Sequence, residues 1–207
     1  MSDDAPQIYL VTPPAFEPEA FADPLARVLD AVPVACLRLA LATSREEVWV
    51  RAADALREIA HARDIPLVVE RHVALAERLG LDGVHLPDGA RGVRKARAAL
   101  GADAILGAFC GASRHDGMNA GEAGADYVAF GPVGAGVLGD GAVADRALFA
   151  WWSEIIELPV VAEGGLTPER VAQFAPVTDF LAVGEEIWAD VDPAAALRRL
   201  LAPLDPG

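Results

Sequence analysis

The chain repeats one pattern of apolar and polar positions from end to end. A short apolar, often β-branched run is followed by a polar or glycine-bearing turn, and then by a stretch with apolar residues three and four apart. The runs at 7–12, 34–41, 66–70, 82–86, 104–110, 125–130, 159–162 and 180–183 predict eight strands, read from length and β-branched content. Helical spacing predicts helices over 18–30, 44–62, 73–79, 93–100, 116–123, 144–156, 168–174 and 193–201. About eight βα units in a chain of this size predict a (β/α)8 barrel, with a doubly wound open sheet as the alternative. Evenly short strands favour the barrel, and so do phosphate-type turns after the seventh and eighth strands.

The turns carry the more specific signals. Strand seven runs into Gly164-Gly165, and Thr167 is placed to cap a helix whose first residue is Pro168. Helix starts hold unpaired N–H groups, so this turn suits a phosphate or another anion; a plain tight turn explains two glycines equally well. Ser44, with Glu47 three residues on, reads as a capping box. The segment 133–141 is the longest glycine-rich loop, expected to be mobile and to cover the site.

Composition narrows the function classes. With 207 residues, 53% of them hydrophobic and 23% charged, one core and a single domain over 1–207 are expected. Cys36 and Cys110 suggest free thiols in a reducing compartment. The acidic start and the absence of a long apolar run predict a soluble, cytoplasmic protein. A formal charge of −14 makes nucleic acid and anionic membrane poor partners. The expected partner is a small-molecule ligand, a phosphate ester among the options, and an anionic one needs local Arg or backbone N–H groups. Trp151, Trp152 and Trp188 read as core aromatics, or as a homo-oligomer contact.

Four stretches in order carry a resemblance: Ile8-Tyr9-Leu10-Val11-Thr12, Asp82-Gly83-Val84-His85-Leu86, Gly124 to Pro132 (GADYVAFGP), and Pro159 to Leu166 (PVVAEGGL). Together they resemble the thiamine phosphate synthase and TenI family, over nearly the whole chain. The resemblance implies a barrel that joins an aminopyrimidine diphosphate to a thiazole phosphate. Pyrophosphate leaves with Mg²⁺ assistance and the thiazole nitrogen captures the pyrimidine cation, so cations are needed around the leaving group.

Position by position, the chain departs from that pattern. The synthases' Gln-x-Arg-x-Lys after strand two is Cys36-Leu37-Arg38-Leu39-Ala40, keeping the Arg alone. Their Asn-Asp-Arg after strand three falls on Glu70, Arg71 and His72, and an Arg cannot ligate the metal. A second metal carboxylate falls on Ala90, with Asp88 at an awkward offset, and the family's Ser after strand five falls near Cys110. The pyrophosphate-binding Thr and Lys after strand six are replaced by glycines and Asp140. TenI-type tautomerases use a His where Pro132 stands. The paired glycines match Gly164 and Gly165, and Gly184 matches a phosphate-facing N–H, but Glu163 and Glu185 stand where like charge disfavours a phosphate.

The residues expected to carry chemistry are therefore Arg38, Arg71 and His72, with Glu70, Gly164, Gly165, Gly184 and Glu185 binding substrate or phosphate. No metal site and no cofactor are expected; the family's Mg²⁺ has lost its ligands. Glu70, His72, Asp88, His115 and Asp116 form a weaker metal or acid/base candidate, with solvated loop side chains as the alternative. His85 reads as a satisfied core histidine. Arg38, inside an apolar strand, must find an anion, either a ligand or Glu70 on the next strand. Three functions follow: a synthase with an altered site, a diverged barrel with another ligand or reaction, and a non-catalytic partner in thiamine metabolism.

Overall fold

The computed structural model describes residues 5–135, 138–139 and 141–204, and the sheet is a closed parallel barrel in sequential strand order. The strands are β1 (Gln7–Val11), β2 (Val34–Leu39), β3 (Leu67–Glu70), β4 (Gly83–Leu86), β5 (Ile105–Phe109), β6 (Tyr127–Phe130), β7 (Val160–Glu163) and β8 (Phe180–Val183). Pairing of Leu10 with Val183 closes β1 on β8, so the open-sheet alternative is excluded. The helices are α1 (Pro18–Leu29), α2 (Glu46–His61), α3 (Val73–Leu79), α4 (Val93–Leu100), α5 (Arg114–Glu122), α6 (Arg146–Ile155), α7 (Pro168–Phe174), α8 (Glu185–Trp188) and α9 (Pro193–Leu201). Among the described residues no helix is long and apolar enough to cross a membrane.

Alternation along the strands sorts the core into two shells. Ile8, Leu10, Leu37, Leu39, Val69 and Val84 pack outward against the helices. Tyr9, Cys36, Val68, Tyr127, Val161 and Ala182 form a separate inner cluster. Such packing fills the barrel, and inward positions at strand C-termini are left facing its mouth. Gly107 makes the inner shell possible, because a Cβ there would lie 2.0 Å from the Tyr127 ring. The Tyr127 hydroxyl bridges Tyr9 Oη at 2.6 Å and His85 Nδ1 at 2.9 Å, giving the buried His85 the partner expected of a core histidine.

Helix boundaries follow local chemistry. Thr167 accepts from the Arg170 N–H and Pro168 opens α7, as expected. The Ser44 capping box does not form: Glu47 is taken by the Arg45 guanidinium at 2.6 and 2.9 Å, and α2 begins at Glu46 without a side-chain cap. Helix α5 starts two residues before the expected 116, because Ser113 accepts from the Asp116 N–H. The four-residue α8 was not expected at all; its shortness hides it from any periodicity. Trp152 and Trp188 serve the fold, with indole N–H groups donating to Leu158 O at 2.8 Å and Val11 O at 2.6 Å.

Candidate functional site

A cavity of about 230 Å³ opens at the C-terminal ends of the strands, where barrels carry their sites. Six of the eight expected site residues line it: Arg38, Glu70, Gly164, Gly165, Gly184 and Glu185. Arg71 and His72 are not among the lining residues. Arg71 adopts a left-handed backbone (φ 59°), uncommon for a side chain with a Cβ, and donates from Nη2 to Glu70 Oε1 at 2.7 Å. His72 follows that reversal and stands edge-on to Trp49, ring centroids 4.4 Å apart, in a separate depression of about 200 Å³ with Ser44, Glu46 and Arg78. Burial, then the Arg71 charge, hold its pKa below the usual histidine range.

Arg38 is buried on β2, and its guanidinium grips Glu163, the last residue of β7. Nη1 donates to Glu163 Oε2 at 3.2 Å and Nη2 donates to Glu163 Oε1. Glu70 Oε2 is 4.0 Å from Arg38 Nε, beyond hydrogen-bond reach, and the buried Nε has no acceptor among the described residues. The hydrogen-bonded partner is thus a carboxylate from across the barrel that sequence reasoning did not name as such, with the expected Glu70 at ion-pair distance only. Parity carried the missed signal, because Arg38 and Glu163 each fall two residues past an inner-shell residue, Cys36 and Val161. Below the pair lies the Tyr9 ring, its centroid 5.5 Å from Arg38 Cζ. Burial raises the Tyr9 pKa, and burial with the Arg38 charge pushes His85 well below its usual value. Burial also pushes the Cys36 thiol up to about 12.

The turns after β7 and β8 form the other wall. Gly164 and Gly165 have φ of 81° and 75°, conformations that favour glycine. Their turn is braced by the Arg170 guanidinium, which donates to Gly165 O at 2.8 Å. N–H groups of Gly165, Leu166 and Gly184 converge, and the carboxylate of Glu186 accepts from all three at 3.2, 3.2 and 2.9 Å. Sequence reasoning singled out Glu185, which is exposed at the rim, and missed Glu186. Among the described residues the cavity lining therefore holds one cation, Arg38, against four carboxylates: Glu70, Glu163, Glu185 and Glu186.

The remaining candidates are scattered. Asp88 is exposed, and His115 Nε2 lies 3.0 Å from Asn119 Nδ2 on its own helix. Among the described residues no three His, Cys, Asp or Glu side chains are placed to hold a metal ion. Leu138 of the glycine-rich loop and Pro132 just before it line the cavity; Gly136, Val137 and Asp140 lie outside the described residues.

Comparison with known proteins agrees with this architecture. The family model described as thiamine monophosphate synthase matches residues 8–187. The thiamine-phosphate synthase of Rhodospirillum centenum is 44% identical over 194 residues, 92% of this chain and 94% of that protein. That of Hyphomonas neptunium is 38% identical over 200 residues, 93% of this chain and 90% of that one. The solved thiamine phosphate pyrophosphorylase from Pyrococcus furiosus shares the fold, with a TM-score of 0.83 and 21% identity over 96% of this chain and 95% of its own. Sequence and fold together place this chain in the thiamine monophosphate synthase family.

Proposed function

We propose that this chain is a diverged thiamine-phosphate synthase-family barrel that binds a small ligand at its C-terminal mouth and does not run the family's ordinary reaction. The observation that carries this reading is the charge of the cavity, four carboxylates against an Arg38 already paired with Glu163. Pyrophosphate departure builds negative charge that catalysts meet with cations or aimed N–H donors, and losing one such contact typically costs about 10²–10³ in rate. Arg71, the other cation beside the site, has its guanidinium on Glu70. The donor set also speaks against Mg²⁺. The Arg71 side chain cannot ligate a cation, Ala90 offers no side-chain donor, and Glu70 and Glu163 are both engaged by guanidinium groups. No step is therefore routed through a metal.

The printed names of the relatives favour a second reading, an active thiamine-phosphate synthase. A side-by-side assay with the Rhodospirillum centenum protein separates the two. Aminopyrimidine diphosphate and thiazole phosphate are supplied with and without Mg²⁺, and thiamine phosphate is measured. Two lost charge contacts predict turnover lower by about 10⁴-fold or more, with no gain from Mg²⁺. Turnover within tenfold of the relative would establish the second reading instead.

A further inference from the structure

We propose that Glu186 sets the ligand specificity of this cavity by filling the anion cradle between the β7 and β8 turns with the chain's own carboxylate. Three backbone N–H groups from two separate turns, Gly165, Leu166 and Gly184, point at one spot, and both oxygens of Glu186 are used there. A convergence of N–H donors is what a phosphate monoester requires, and charge-assisted bonds to a carboxylate answer the same donors. An incoming phosphate must displace Glu186 and then share the cavity with the exposed carboxylate of Glu185, so like charge opposes it. The ligand of this site is accordingly unphosphorylated at this end, neutral or cationic. This deepens the reading above, and rests on it for the assumption that the cavity is the ligand site.

The placement of Glu186 is built into the fold. Gly184 N-caps α8, and the following residues turn by about 100° each, so consecutive glutamates cannot face the same way. Glu185 is left exposed at the rim while Glu186 is carried back over the cradle. Arg170 holds the Gly165 carbonyl from behind, which orients the N–H of the same peptide, that of Leu166, toward Glu186.

The test titrates inorganic phosphate into the native protein and into Glu186→Ala, following the amide resonances of Gly165, Leu166 and Gly184. In the native protein these signals should not move up to millimolar phosphate. In Glu186→Ala they should shift together, with affinity at least tenfold higher, and phosphate should raise the melting temperature of the variant alone. Glu186→Asp, one methylene short of the cradle, should bind phosphate with intermediate affinity, and it serves if the alanine variant does not fold. Equal phosphate affinity in native and variant proteins, or saturable shifts at these amides in the native protein, would overturn the proposal. Its failure is separable from that of the functional reading. A protein that binds phosphate natively but forms no thiamine phosphate refutes the role of Glu186 alone, whereas one that forms product at the relative's rate without those shifts refutes the functional reading alone.

Discussion

Arg38 shows how one buried charge organises its neighbours. Its side chain is 4% exposed and that of Glu163 9%, so the pair is desolvated and each partner depends on the other. Such pairs add little stability relative to apolar residues of similar volume, yet removing one partner strands a buried charge and costs about 3–5 kcal/mol. Arg38→Met should therefore lose about that much in urea unfolding, while Arg38→Met combined with Glu163→Met should recover most of it. A neutral single variant would mean that water or Glu70 compensates, contrary to the geometry. The single substitution discriminates partners too: Glu70→Gln should cost under about 1 kcal/mol, because that side chain is partly solvated and answered mainly by the exposed Arg71.

At the level of elements, helix α5 sets propensity against packing. Gly117 and Gly121 both lie inside it, and glycine in a helix interior costs about 1 kcal/mol relative to alanine. A Cβ at Gly117 would lie 2.7 Å from the Trp152 ring and 2.8 Å from Phe130, both fully buried. At Gly121 it would meet only Leu158 Cδ2, at 3.1 Å, the far end of a flexible side chain. Gly117→Ala should thus lower stability by about 1–3 kcal/mol despite the better propensity, whereas Gly121→Ala should be neutral or stabilising by up to about 1 kcal/mol. Thermal unfolding of the two variants checks the contrast, and equal shifts would show that packing under α5 yields more readily than these distances imply. A different competition explains the missed capping box, where a salt bridge from the neighbouring Arg45 to Glu47 consumed the carboxylate that the motif assigns to the cap.

For the molecule as a whole, the buried network couples stability to pH. The folded pKa of His85 lies well below the usual histidine value, because burial and then the Arg38 charge oppose its protonation. Below about pH 6.5 the unfolded chain therefore binds a proton that the folded chain refuses, so this contribution is complete above that pH and shrinks as pH falls toward the folded pKa. The slope approaches about 1.4 kcal/mol per pH unit. The net charge of −14 works in the opposite sense, since acid relieves self-repulsion, so the comparison of native protein with His85→Gln isolates the histidine. Between pH 6.5 and 5, denaturant unfolding should show the native protein losing stability more steeply than His85→Gln. Parallel curves would mean that His85 is protonated in the folded state.

Short apolar runs and turn residues alone determine much of this protein. Continuous apolar, β-branched runs interleaved with helical spacing specify eight βα units, and Thr167 and Pro168 specify where α7 begins, because these effects act over a few residues. A charge inside an apolar strand likewise announces that Arg38 is buried and needs an anion. Which anion was decided by closure of the barrel: Arg38 and Glu163 are 125 residues apart and meet only when β2 and β7 face each other across the interior. The outward placement of His72 follows from the left-handed backbone of Arg71, and the exchange of Glu185 for Glu186 in the cradle follows from one short helical turn. Both are single-residue rotations, too brief to leave a period in the sequence, and it is the packed turns around them that hold them in place.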